Sequence, residues 1–356
     1  MSAVVHDSVG GPLRLTQVPR PACPPGAVVV DVLATGVCRS DWHAWRGHEV
    51  VALPHVPGHE FAGTVAQVGE GVRGVELGAR VTAPFVNGCG RCVWCAGGQA
   101  QVCPDQTQPG FTHPGSFAEQ VVVRSAETNL VRLPDQVDLV SAAALGCRFA
   151  TAFRALTGPG RLAAGEEVAV WGCGGVGLSA VMIAVALGAR VVAVDRSAPA
   201  LARAVELGAA VAVDAGASAD PAAEVRAATG GAHLSLDALG SAGTAAASVR
   251  SLRRHGRHVQ VGLMLDADAQ APLPWDVLVA GELEVRGSHG MAAADYPRML
   301  DLVASGRLRP RELVGRVVGL GQAGAALAAM DDPVAATAGM TVVALGPDPV
   351  GQGTTA

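Results

Sequence analysis

The sequence predicts an α/β protein: a doubly wound parallel sheet of six strands set between a β-rich N-terminal part and a mixed tail. Three observations predict it. Short apolar strands alternate with helical patterns from about residue 150 to residue 287, the way a doubly wound sheet reads in sequence. A glycine-rich turn, "VWGCGGVG", stands between the first of these strands and its helix. Residues 1–148 instead carry Val-rich runs broken by Gly and Pro, with little helical periodicity.

Taken in order, "AVVVDVLATGVC", "EFAGTVAQVGEGV" and "ARVTAPF" read as strands of the first part, because β-branched runs bounded by turn residues favour a pleated surface. The middle part, 149–287, opens with the strand "EEVAVWG" and a helix over 175–187. The strand "RVVAVD" and the helix "APALARAVELG", ending at Gly208, come next, then "AVAVD" and a helix near 222–228. "HLSLDAL", a helix around 244–252, "RHVQVGL" and "LEVRGS" complete six strands. In the tail, 288–356, "YPRMLDLVASG" and "GQAGAALAAM" read as helices and "RVVGL" and "MTVVAL" as strands. The tail has no core of its own, so it is expected to return to the first part. The terminal "GPDPVGQGTTA" is expected to be loose.

Composition narrows the function. Half of the 356 residues are hydrophobic and only 3% are aromatic, so the cores are built from Ala, Val and Gly. The net charge is −5 and the basic residues are scattered, which argues against a nucleic-acid surface. No signal peptide is read at the N-terminus, so a reducing cytoplasm is expected. There, eight cysteines read as metal ligands or free thiols before disulfides. The uncharged stretch 168–189 is long enough to imitate a membrane span. Its glycines split it into a strand and a helix, so no membrane is expected.

The turn supplies Gly172, Gly174 and Gly177 in G-x-G-x-x-G register, with Gly175 and Val176 between. It follows a strand and opens a helix, and Asp195 ends the next strand 18 residues after Gly177. That is the full dinucleotide fingerprint. Asp195 would bind the adenosine ribose and repel a 2′-phosphate, which favours NAD. The neighbouring Arg196 is a residue that can accept that phosphate, so NADP stays in view.

Cys89, Cys92, Cys95 and Cys103 are spaced C-x2-C-x2-C-x7-C. A ferredoxin-type cluster needs three residues before its last cysteine. Four thiolates with no open position make a closed zinc site. Elsewhere "TGVCRSDWHAWRG", "VPGHEFAG" and "LGCRFATAF" offer Cys38, His59 and Cys147. Two cysteines and a histidine are a known catalytic-zinc set. Spacing does not single them out, since isolated Cys and His are more often packing residues.

Together, "GVCRSD", "GHE", the four-cysteine run and "GCGGVG" resemble the zinc-dependent medium-chain alcohol dehydrogenases over nearly the whole chain. The resemblance implies a GroES-like catalytic domain with two zinc ions per chain, and a Rossmann domain inserted before a C-terminal return. It places Cys38, His59 and Cys147 on the catalytic zinc and the four cysteines on a structural one. Polyol dehydrogenase relatives often carry glutamate where Cys147 stands. The resemblance puts Glu60 behind the metal, where it can visit the zinc during ligand exchange. Asp41 holds the zinc histidine. Ser40 touches the substrate oxygen and His43 ends a proton relay. Arg39 touches the cofactor pyrophosphate, Val261 lies near the nicotinamide, and Phe85 forms a pocket wall. Trp45 is either a second wall or a packing residue. Met340 stands where many relatives have a pyrophosphate-binding arginine.

The implied reaction is reversible hydride transfer between an alcohol and NAD+, giving an aldehyde or ketone, in a homodimer or homotetramer. Zinc-free quinone or enoyl reductases lack the Cys–His–Cys set. A polyol dehydrogenase, an NADPH-preferring carbonyl reductase and a non-catalytic zinc or NAD(P) sensor are rival functions for the same motifs.

Overall fold

The computed structural model describes residues 1–332 and 339–346. They fall into two compact units: Met1–Ala150 with the described residues from Gly290 onward, and Thr151–His289.

The first unit is built on a mixed sheet. Its order is Val314–Gly319, Met340–Ala344, Val28–Val37, Glu60–Val68, Arg80–Thr82 and Val131–Arg132. Gln120–Val123 also pairs with Val28–Val37. From the tail, Met340–Ala344 lies antiparallel to Val28–Val37 and parallel to Val314–Gly319. Val28–Val37 is the hub because nearly all of it is buried. Val28, Val30 and Val32 pack with Phe61, Val65, Val81, Val121 and Val123. Val37 joins a second cluster with Val4, Trp45, Phe117 and Leu327. A strand buried on both faces reads as a nearly continuous apolar run, and this one does, interrupted by Asp31 and Thr35.

A helix that starts in this unit and continues along the chain past Ala150 departs from the sequence reading. Leu139–Ala144 and Ala150–Thr157 are α-helical, joined without a break by a five-residue π-turn, Leu145–Phe149. Asp138 caps the start, accepting from the Ser141 N–H at 2.8 Å. The stretch is almost wholly buried, so it is long and apolar enough to span a membrane yet is a core helix. Leu139–Ala144 is buried at every position and so shows no polar face from which a 3.6-residue period could be read.

The second unit is one parallel sheet of six strands. Its order is Val211–Asp214, Arg190–Asp195, Glu167–Trp171, Ala232–Asp237, Leu252–Gln260 and Glu284–Gly287. Val168, Ala169, Val170, Val191, Val192 and Val194 are all buried, so the centre is made of small β-branched and Ala side chains. The membrane-like stretch resolves into the strand Glu167–Trp171 and the twelve-residue helix Gly175–Ala186. Of the C-terminal run expected to be loose, residues 347–356 lie outside the described residues.

Candidate metal centres and cofactor turn

Three separate segments bring Cys38, His59 and Cys147 together. Cys38 follows the hub strand directly and caps the helix Arg39–Trp45. His59 immediately precedes the strand Glu60–Val68. Cys147 sits in the π-turn, and π-turns inside α-helices are often found at functional sites. One ligand atom from each, and one carboxylate oxygen of Glu60, all lie within 4.8 Å of one another.

Asp41 organises two of these donors. Its Oδ2 accepts from the Cys38 N–H at 3.1 Å, which closes the first turn of the helix. Its Oδ1 lies 2.8 Å from His59 Nδ1 and accepts from the Gly58 N–H at 3.0 Å. With Nδ1 engaged, His59 presents Nε2, which is buried and has no hydrogen-bond partner. An orphaned imidazole nitrogen facing two sulfurs is the donor set of a zinc site. The residues fit the metal.

The electrostatics agree. A hydrogen bond from the Cys147 thiol holds Cys38 well below the usual thiol range. Burial opposes this, and the Arg148 and His59 charges assist it. Cys147 is pushed up in turn by the same hydrogen bond and by burial. For His59, burial works against the charged ring, but the Asp41 carboxylate and the Cys38 charge raise it well above its ordinary value. The site therefore already favours a thiolate, and metal uptake must displace the remaining protons.

Glu60 is fully buried and Arg148 nearly so, and the two are paired. Arg148 Nε donates to Oε1 at 3.1 Å and Nη2 to Oε2 at 2.5 Å. Burial raises the Glu60 carboxyl in spite of this partner. The sequence reading missed Arg148. It also missed Phe111, whose ring lies 5.3 Å from the His59 ring, closer than Phe85 at 6.1 Å. Tyr296, fully buried, reaches the Gly146 carbonyl at 3.3 Å and supports the π-turn from behind.

The four-cysteine run folds into a second cluster, with all four sulfurs within 4.8 Å of one another. None of the eight cysteines is in a disulfide. The Cys89 N–H points at the Cys103 sulfur at 3.3 Å, and the Cys95 N–H at the Cys92 sulfur at 3.5 Å. Asn129, fully buried, fastens the loop: its Oδ1 accepts from the Gly88 N–H and its Nδ2 donates to the Gly88 carbonyl, both at 2.9 Å.

In the second unit, Gly172 has φ +89°, in the left-handed region that favours glycine. A Cβ on Gly177 would stand 1.7 Å from the Gly172 carbonyl oxygen, while one on Gly174 would meet nothing within 4 Å. Helix and strand thus need Gly177 in order to touch, and the backbone at Gly174 is open to a ligand. The fingerprint demands the same of its glycines. Asp195 ends its strand with Oδ2 accepting from the Cys173 N–H at 2.6 Å and Oδ1 from the Ser197 N–H at 2.8 Å.

Residues 24–135 match the family model for the alcohol dehydrogenase GroES-like domain, and residues 175–305 match that for zinc-binding dehydrogenases. The chain belongs to the zinc-dependent medium-chain alcohol dehydrogenases. An alcohol dehydrogenase of Geobacillus stearothermophilus is 34% identical over 313 residues, covering 87% of this chain and 90% of the relative. The solved alcohol dehydrogenase TADH from Thermus sp. ATN1 is 31% identical with a TM-score of 0.89, over 97% of this chain and all of that one. A zinc-binding dehydrogenase from Sinorhizobium meliloti 1021, solved with NADP bound, is 29% identical with a TM-score of 0.85, over 96% and 98%. The fold is accordingly a GroES-like domain with a Rossmann domain, and the activity is that of an oxidoreductase acting on small molecules.

Within this alcohol dehydrogenase, the other expected site residues are distributed unevenly. Ser40 lies in the first turn of the short helix, its Oγ 3.9 Å from the Cys38 sulfur. His43 follows one turn later, its Nδ1 2.8 Å from Nδ1 of the exposed His48. Burial lowers the His43 ring, helped by His48 and Arg39. Arg39 donates to the Met330 carbonyl at 2.7 Å and lies over the Trp42 ring. Trp45 is buried in the Val4–Val37–Phe117 cluster and donates to the Gly11 carbonyl at 2.8 Å, which is the packing side of its two expected roles. Met340 is likewise buried, at the start of its strand, where an apolar side chain suits the sheet. The Val261 N–H donates to the Asp237 carbonyl at 3.0 Å. Arg196 is exposed beside Asp195.

Proposed function

We propose that the protein oxidises primary or secondary alcohols reversibly to aldehydes or ketones, with one catalytic and one structural zinc and with NAD+ as the preferred hydride acceptor. The observation that carries this reading is the donor set Cys38, His59 and Cys147 around an orphaned Nε2, with its fourth neighbour, Glu60, engaged by Arg148. When bound, the zinc supplies Lewis-acid polarisation of an alcohol or carbonyl and the nicotinamide supplies the hydride acceptor or donor.

The chain's own residues do the rest. Asp41 fixes the His59 tautomer and ties the Cys38 loop to it. Ser40, beside Cys38, would relay the alcohol proton, accepting it as its own hydroxyl proton passes on toward His43. His43, against the exposed His48, returns it to water. Phe85 and Phe111 give the site apolar sides, which suits hydrophobic alcohols. Asp195 supports NAD because a carboxylate at that strand end repels a 2′-phosphate. Arg196 and the NADP-bound relative are the observations on the other side. The four-cysteine site, with no position left open, does no chemistry. Exposed Val93, Trp94 and Val102 on and beside that lobe support a homodimer or homotetramer. A reducing cytoplasm suits the thiols. Sedimentation showing a stable monomer would remove the oligomer from this reading.

The test is a panel of alcohols and carbonyls with each cofactor. Alcohol-dependent NADH formation, at a higher kcat/KM than with NADP+, is the expected result. Asp195→Ser should shift the cofactor ratio toward NADP+. No turnover with any alcohol, or a native preference for NADP+, would contradict the corresponding half of the proposal.

A further inference from the structure

One carboxylate oxygen of Glu60 lies within 4.8 Å of both sulfurs and of an imidazole nitrogen of His59. Two sulfurs, one nitrogen and one carboxylate oxygen are a complete tetrahedral set for zinc, and a complete set leaves no position for substrate. Something must keep Glu60 away from the metal.

Arg148 is placed to do so. Its guanidinium meets both carboxylate oxygens, at 3.1 and 2.5 Å, and its backbone N–H adds a third contact to Oε1 at 3.2 Å. A fork of this kind is a strong and geometrically specific grip. The surroundings are shaped around the pair. A Cβ on Gly36 would stand 2.3 Å from Glu60 Oε2 and 3.2 Å from Arg148 Nη2, and one on Gly146 would stand 3.0 Å from the Glu60 Cα. Gly36 lies inside the hub strand and Gly146 inside the π-turn, and neither has a positive φ. The requirement at both is therefore space. The π-turn that carries Cys147 into the metal cluster carries the next residue, Arg148, onto the neighbouring carboxylate.

We propose that Arg148 is a positioning residue that holds Glu60 off the catalytic metal and so keeps the fourth coordination place for substrate. The proposal rests on the zinc alcohol dehydrogenase reading. Without Arg148, a buried carboxylate has lost its counter-charge, and the nearest cation left to it is the metal.

The test uses the zinc-loaded full chain with Arg148→Met and Arg148→Lys, each with and without Glu60→Gln. It reads chelator-driven zinc release, the visible spectrum after cobalt replacement, and turnover. In Arg148→Met, zinc release is expected to slow and kcat to fall, each by about 10- to 100-fold, the usual scale of effects just outside the ligand shell. The cobalt spectrum should lose its response to added alcohol. Adding Glu60→Gln should restore the release rate and that response. Arg148→Lys keeps the charge without the fork and should lie between. It carries the test if the Met variant does not fold. Faster zinc release in either single variant, or a cobalt spectrum unchanged from the parent, would overturn the proposal. Zinc release and the cobalt spectrum without added alcohol need neither turnover nor a bound alcohol, so they stand even if no alcohol proves to be a substrate.

Discussion

The two candidate metal sites share one kind of donor, the cysteine sulfur, and are built in opposite ways. The four-cysteine lobe is local. Its donors fall within residues 89–103, backbone N–H groups face its sulfurs, and one amide, Asn129, pins its loop. The Cys38–His59–Cys147 cluster is assembled from three distant segments. Charged side chains, Asp41, Glu60 and Arg148, hold it rather than backbone. A site supported by its own loop can be closed and inert. A site that must keep one position free needs groups outside the ligand shell to fix each donor and to restrain the carboxylate beside it.

The largest way to break this contrast is to remove a donor from the open site. Cys147→Ala should reduce alcohol oxidation more than about a thousandfold, because several kcal/mol of Lewis-acid stabilisation disappears. The fold should survive, with near-native circular dichroism. Full activity in this variant would end the assignment. Cys103→Ser should act the other way. It should lower the melting temperature by roughly 10 °C, since a structural zinc is worth several kcal/mol. Enzyme still folded at assay temperature should retain most of its turnover. An unchanged melting temperature would make the lobe dispensable.

The same contrast explains what the sequence makes legible. The lobe and the glycine-rich turn lie in short stretches, so spacing is enough to read them. Cys38, His59 and Cys147 are isolated letters, and only their resemblance to a family sorts them from buried packing residues. Arg148 gives no signal at all. It lies in an apolar run, and its partner, Glu60, is 88 positions away. Phe111 is hidden in the same way, one loop aromatic whose contact with His59 exists only in three dimensions. Most strands of the two large sheets follow from their Val-rich runs, whereas the short strands Gln120–Val123 and Val131–Arg132 are not read from sequence. The buried helix around Cys147 does not, because its opening segment, Leu139–Ala144, is buried at every position and offers no periodicity to detect.

A smaller change sharpens the comparison. Asp41→Asn leaves every ligand in place but weakens the bond that fixes the His59 tautomer. Metal affinity or turnover should fall about 10- to 100-fold, with the lobe zinc unaffected. An effect within about twofold would show that the backbone alone holds His59. Smaller still is a pH effect away from both metals. Burial pushes the His113 imidazole down to about 4, and its Nε2 faces the Val122 carbonyl. The unfolded ring titrates near 6.5, so between about pH 6.5 and 4 the unfolded chain binds more protons. Stability is present above that window and is lost as pH falls through it. Burial also lowers His55 and His258, so the acid side should be steep. His113→Gln should flatten the decline in melting temperature, and an unchanged slope would assign acid sensitivity elsewhere.

The central claim is that one chain holds two independent zinc sites, one closed and one kept open. Zinc content per chain, measured after exhaustive dialysis, tests it most directly. The account predicts about two for the parent protein and about one for each of Cys147→Ala and Cys103→Ser, with activity following only the first. A parent value near one, or a single substitution that empties both sites of a folded chain, would contradict it.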